Sequence, residues 1–404
     1  MKIEASSTPK RITSHPVQAD SVPTARDEWM LRSFSFSFYM TMALTVSFFP
    51  LYFSAQGYSK LQIGAIYSIG PLIGIFANLF WGVISDKRQT VRNVLLVILC
   101  GQLAVTVILS QIDSIAWLYV AMTAFHFFHS PISALTDSLT MLTIRRTGKS
   151  YASFRVWGSL GFAFSAFVFG FVLRQTGAGL TIWLAVGTIS LTLMLAMFLK
   201  DRPGSAQGIQ FSGLFAVIRN PKLLLFLALI FTMSFAHRAN DGFLALHLRE
   251  LGASDTIVGW SWTASALSEI PMFFLLARYG HRFRELPLLM IAAVVYAIRF
   301  FLVSLVEQPV WIIPLQLMHS CSFGIFLVTA LRYMQQLIPD EYRATGQALY
   351  SVVWSCLAGL ASGVAGGFLF DAWGGAAMYR AASAAALLSA VGFLAASVRE
   401  RRKV

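Results

Sequence analysis

Asp137 and Arg155 stand on either side of the basic turn "RRTGK" at 145–149, each inside a stretch that is otherwise almost uncharged. If both stretches are helical, a rise of about 1.5 Å per residue puts both side chains roughly 12 Å from the turn, on neighbouring antiparallel rods. Opposite charges at one depth can pair. A purely structural pair so deep would be cheaper to replace with apolar residues, so its presence points to water or a ligand reaching it. His126 lies three turns before Asp137 and on the same face, with Pro131 between them to kink the rod. His126 and His129 read equally well as satisfied core histidines or as cavity walls.

A second set lies further along. Arg238 and Asp241 are three residues apart, hence neighbours on one helical face, and His237 precedes them. Glu269, Arg299 and His319 are each central in a separate apolar run. An ionisable side chain in hydrocarbon is expensive unless paired or hydrated, so each is a functional candidate. Charges placed at mid-depth by different rods imply one aqueous cavity in which acids and bases roughly balance. His247 reads as interfacial. Cys100, Cys321 and Cys356 show no ligand spacing and read as inert buried thiols.

Composition says what must position these groups. The 404 residues are 57% hydrophobic and 12% charged, with mean hydropathy +0.67. Soluble domains carry about 25% charged residues, so much of this chain has lipid for solvent. Apolar runs long enough to span a bilayer lie near 33–55, 61–84, 93–111, 115–142, 152–173 and 179–199. They resume near 222–248, 256–278, 286–306, 310–337, 344–370 and 377–398. The break "KDRPGSAQGIQFSGLFAVIRNPK" reads as a linker by its Pro and Gly. The expected fold is an all-α integral membrane protein with twelve transmembrane helices in two six-helix bundles. Its parts are a disordered tail (1–30), a first bundle (31–200), a linker (201–221), a second bundle (222–398) and a basic tail (399–404).

The formal charge of +13 is not one continuous face, which argues against a nucleic-acid partner. The bases fall in alternate loops: Lys10, Arg11, Arg26 and Arg32; Lys87, Arg88 and Arg92; Arg145, Arg146 and Lys149; Lys200, Arg202, Arg219 and Lys222. Arg278, Arg282 and Arg284 continue the pattern, then Arg343, then Arg399 to Lys403, while the other loops hold little beyond Lys60, Arg174, Arg249 and Arg380. Lys and Arg gather on the cytoplasmic side, so both termini are expected inside. Residues 1–28 lack the apolar core of a signal peptide.

One of these loops, "GVISDKRQTVR" at 82–92, resembles the signature G-x-x-x-D-[RK]-x-G-R-[RK] of the major facilitator superfamily, with Gly82, Asp86 and Lys87 in place and Gln89 at the second glycine. The segment "ARYGHRFR" in the second half is a faint echo of it, as a duplicated, pseudo-symmetric unit should show. The resemblance covers the chain from about residue 30 to the end. It implies the major facilitator fold and a latch between the bundles formed by Gly82, Asp86, Lys87 and Arg88.

The segment "FRVWGSLGF" at 154–162 is similar to span 5 of the lactose-permease-like branch, closest to its phenylpropionate-permease and nucleoside-symporter relatives. That branch carries an acid eighteen residues before the arginine, as Asp137 stands before Arg155 here. The resemblance implies substrate contacts from Asp137, Arg155, Glu269 and His319, and proton coupling through Glu269 with Arg299 and His319. The branch has a glutamate three residues after that histidine where this chain has Ser322, which leaves Glu269 or Asp241, beside Arg238, as proton carrier. Phe162 replaces a tryptophan that stacks on galactose, so a galactoside is not the expected substrate. His126 joins this list as a cavity residue.

No nucleophile elbow, phosphate loop, zinc spacing or dinucleotide turn is present, so neither an enzyme nor an ATP-driven pump is expected, nor any metal or cofactor. The expected function is a proton-coupled symporter in a bacterial inner membrane. It would act as a monomer among lipids and import a small sugar-like, nucleoside-like or aromatic-acid solute. A proton-coupled exporter of drugs or metabolites is the alternative, and a non-transporting receptor is a third class.

Overall fold

Some helices begin at side-chain caps supplied by the sequence, at Thr24, Ser59, Thr90 and Asn220. The computed structural model describes residues 23–149, 151–201, 220–338 and 343–401. The expected tail as far as residue 22, the body of the linker (202–219) and residues 402–404 lie outside them. Thr24 and Asp27 form a reciprocal capping box that starts α1 (Ala25–Ser47) inside the stretch expected to be a loose tail. A break at Phe48 leads to α2 (Phe49–Ala55), whose second residue, Pro50, suits a first turn. The remaining helices of the first half are α3 (Lys60–Arg88), α4 (Val91–Leu109), α5 (Ile115–Thr147), α6 (Ala152–Thr176) and α7 (Thr181–Met197).

In the second half α8 (Pro221–Glu250), α9 (Asp255–Tyr279) and α10 (Glu285–Val303) are continuous. The next rod is broken: α11 (Ile312–Gln316), a π-helical turn at Ser320–Gly324, then α12 (Ile325–Leu337). α13 (Arg343–Ser351) passes through a second π segment, Val352–Leu357, into α14 (Ala358–Arg401). Gly374, at φ 78° and ψ 172°, divides α14 into two arms, a conformation open to glycine because it lacks a Cβ.

Counted with Gly374 as a boundary, six rods precede residues 202–219 and six follow among the described residues. By length and apolarity alone, eight helical stretches qualify as spans, or nine with the bent α1–α2 pair. The stretch Leu349–Arg401 counts once in that tally, and α5 and α9 fall short of it. Those two helices carry His126, Asp137 and Glu269, and the same polar side chains that make them interesting lower their hydropathy.

Within the first half α1 packs on α6 and α7, α3 on α5, and α4 on α5 and α7; in the second, α14 packs on α8 and α10. The halves meet where α6 lies on α9 and α3 on α14. Small residues set those approaches. A Cβ on Gly170 would fall 3.1 Å from the Cα of Gly259, and one on Gly359 2.6 Å from Pro71. Gly64 and Gly363 are closer still. With no water to expel between helices in lipid, such close backbone contact is a main source of adhesion.

At the end opposite the basic loops, the α3 N-terminus is accounted for donor by donor. Ser59 Oγ accepts from Gln62 N, and Gln62 Oε1 returns a bond from Ser59 N. The two amides this box leaves, Lys60 N and Leu61 N, donate to Asp371 of the other half at 3.1 and 2.8 Å. Thr256 to Gly170, Thr263 to Ala163 and Ser68 to Leu360 add hydroxyl–carbonyl bonds across the same seam.

At the basic end the loop charges are tied within the first half. Glu28, 5% exposed, takes Lys149 at 2.5 Å and Arg32 at 3.5 Å. Asp201 accepts from Thr90 and the Arg92 amide, at the start of α4. The expectation of buried thiols needs correcting. Cys100 is exposed and Cys321 half-buried rather than buried; His247 is 2% exposed and packed on Tyr379 with ring centroids 5.0 Å apart.

Candidate functional site

The second half gathers its charges into a connected chain. Arg299 on α10 is wholly buried, the largest such side chain among the described residues. It donates to Gln316 Oε1 and, at 2.9 Å, to His319 Nδ1. Gln316 ends α11 and His319 sits three residues on, just before the π turn, so both face α10. π turns occur often at functional sites. His319 Nε2 meets Glu269 Oε1 on α9 at 2.9 Å. A guanidinium can only donate, so Nδ1 of His319 accepts, its proton sits on Nε2, and Glu269 receives it. The relay runs Arg299, His319, Glu269 across three rods.

Beside it, His237 Nε2 lies 3.4 Å from Asp241, whose second partner is Arg238 at 3.8 Å. The Nδ1 of His237 is 3.0 Å from the Tyr296 hydroxyl. Its ring lies parallel to Phe323 at 4.6 Å and stacks on Trp354 at 5.2 Å. Arg238 lies over Trp354 and donates to Ser355, both in the second π segment. Arg238 and Asp241 remain partly open, while Glu269, Arg299, His237 and His319 are buried.

In the first half, Asp137 and Arg155 line one cleft with Tyr39, Tyr151 and Gly158. They do not form a direct ion pair. Asp137 is exposed and accepts from the Tyr151 hydroxyl at 2.9 Å; Arg155 lies 4.6 Å from the centre of the Tyr39 ring and donates to Ser159. This accounts for four of the five residues of the segment "RVWGS". Gly158 makes room for Tyr39, since a Cβ there would fall 2.8 Å from its ring, and Trp157 meets Trp29 edge-on. Glu269 and Arg155 stand on α9 and α6, the two helices that meet across the seam.

His126 presses its ring into the space left by Gly70, and its Nε2 has no hydrogen-bond partner among the described residues. His129 accepts from Gln102 and stacks on Phe125, a core role. Phe162 meets Trp262 of the other half edge-on at 6.0 Å. Gly82 and Asp86 lie at the end of α3, where Lys87 and Arg88 are exposed. The Asp86 carboxylate has no partner among the described residues, although its carbonyl accepts from Gln89 Nε2 at 2.7 Å. Sequence reasoning missed Tyr39, Tyr151, Tyr296, Gln316, Phe323, Trp354 and Trp262. Such residues are ordinary in apolar spans, and the chain carries no local sign that they converge.

The model of the MFS_1 like family matches residues 28–381. Maltose permease of Geobacillus stearothermophilus is 28% identical over 85% of this chain and 87% of its own length. The probable 3-phenylpropionic acid transporter of Escherichia coli (strain K12) is 26% identical over 79% and 84%. The crystal structure of nucleoside transporter NupG superposes with a TM-score of 0.77 at 16% identity, covering 91% of this chain and 98% of that one.

Proposed function

The chain belongs to the MFS_1 like family, and on that premise we propose that it is a proton-coupled symporter importing a small organic solute by alternating access. It is a multi-pass membrane protein and a transporter, not an enzyme. We place it as a monomer in a bacterial inner membrane with the basic loops and both termini in the cytoplasm, and assign the bundles to 31–200 and 222–398.

The observation that carries the reading is the relay Arg299–His319–Glu269, buried in the second half, with its acid on a helix, α9, that packs against α6, the Arg155 helix of the first. A carboxylate held this way is stabilised by a fixed cation through a neutral imidazole. Because Oε1 already accepts from His319, an incoming proton enters on Oε2. Protonation removes a negative charge from a helix on the α6–α9 seam, so loading the acid changes the electrostatics between the halves. Substrate would bind between Asp137, Arg155 and His126 on one side and Glu269, His319 and the His237–Phe323–Trp354 stack on the other, with Phe162 at the seam. Hydroxyl-rich solutes suit the charged groups and a flat ring suits the stack, consistent with relatives named for maltose, 3-phenylpropionic acid and nucleosides.

The test is solute uptake and counterflow in proteoliposomes, with and without an imposed inward proton gradient, over maltose, 3-phenylpropionate and uridine. Accumulation driven by the gradient supports symport. Efflux driven by it would replace symport with antiport, and exchange indifferent to it would remove proton coupling.

A further inference from the structure

Away from the central site, the basic end of the second half holds a cleft of about 810 Å³ between the ends of α8, α10, α12 and α14. Its floor is apolar, formed by Leu225, Phe226, Leu229 and Phe393 among others, and three cations stand on its rim: Lys222, Arg284 and Arg399. The two acids on that rim are already engaged, Glu285 by Arg332 at 2.7 Å and Glu400 by the Tyr333 hydroxyl at 2.9 Å. Lys222, Arg284 and Arg399 have no ion pair among the described residues, and all three are exposed. A greasy floor under three bases, against Glu400 as the one rim acid that no cation pairs among the described residues, leaves a net positive rim that complements an amphiphile whose anionic head sits there and whose tail enters the cleft.

We infer that this cleft binds an anionic phospholipid of the cytoplasmic leaflet. Basic pockets between helix ends on that side are suited to such headgroups. The leaflet rests on the orientation proposed above; the site itself does not depend on transport.

The probe is phosphatidylglycerol, with phosphatidylcholine as the neutral comparison, added to purified full-length protein and counted as retained lipid by native mass spectrometry. Wild type should retain phosphatidylglycerol selectively. Each of Lys222→Gln, Arg284→Gln and Arg399→Gln should weaken retention, and the triple variant should lower it by about tenfold or more. Arg278→Gln and Arg282→Gln, exposed at the same end but outside the cleft, should retain it fully. A monodisperse triple variant that still binds as wild type overturns the site, as does equal retention of phosphatidylcholine. A photoreactive residue in place of Leu225 should label lipid; labelling of the chain's own residues 202–219 instead would also overturn it. Side-specific labelling of a cysteine at Lys149 checks the leaflet separately, so a wrong orientation and an absent site give different results.

Discussion

Gln89 closes α3 at φ 52° and ψ 36°, the one non-glycine residue with positive φ among those described. The resembling loop motif has glycine here, and the geometry gives the reason: a left-handed residue costs an L side chain roughly 1–2 kcal/mol that glycine avoids. The bond from Gln89 Nε2 to the Asp86 carbonyl offsets part of that cost. Gln89→Gly should therefore raise the thermal unfolding midpoint modestly, by the equivalent of up to about 1 kcal/mol; a lowered midpoint would show that the side-chain bond matters more than the strain. Arg155 was legible in the sequence because a charge in an apolar run stands out. Its setting was not, since Tyr39 is distant in the chain. Lys in its place keeps the charge but loses the flat stacking on Tyr39. Arg155→Lys should abolish uptake, by tenfold or more on the scale of about 1.4 kcal/mol per decade, with expression near normal. Near-wild-type uptake would remove Arg155 from the substrate site.

At the scale of elements, apolar runs of about twenty residues announced most rods. The two π segments were not announced, because nothing short of tertiary packing selects a wider turn over an α-helical one, whereas the break of α14 at Gly374 falls in the gap between the apolar runs 344–370 and 377–398. The seam between the halves was half legible: Gly359, Gly363 and Gly367 stood in a small-residue stretch of the sequence, but their partners Pro71, Gly64 and Leu61 did not. Asp371 was passed over entirely. It accepts the two α3 amides that the capping box leaves open, and these bonds exist only while the halves are closed at that end. An acid at a helix N-terminus is worth about 0.3–1 kcal/mol when exposed, so Asp371→Ala should shift the population towards the state open at that end by about twofold to fivefold. Thiol labelling of a cysteine placed at Ser68, on the seam, should then accelerate. Unchanged labelling would mean that the glycine contacts alone hold the seam.

For the whole molecule, the conformer has a consistent polarity. One end is fastened by Asp371 and the small-residue contacts, while at the other the Asp86 carboxylate has no partner among the described residues. That is the pattern expected of a carrier closed on one side, and a latch at Asp86, as the loop's resemblance implies, would be released in it. Switching between the two states must be tied to a group whose charge both halves feel, and Glu269, on the seam helix α9 that packs against the Arg155 helix α6, is the candidate. Asp241 is the weaker candidate, since Arg238 rides on the same helix and stays beside it in either state. Glu269→Gln fixes the neutral form while keeping the shape of the side chain, and its amide oxygen can still accept from His319. The variant should therefore lose accumulation driven by an inward proton gradient, and its residual exchange should become insensitive to pH. The hydrogen-bonded path from Arg299 to Glu269 runs through His319, so His319→Phe, which breaks the relay but leaves Glu269 able to titrate, should displace the pH dependence of uptake rather than erase it. If the Glu269→Gln protein still concentrates substrate under the gradient, the proton travels elsewhere, and Asp241→Asn becomes the decisive variant.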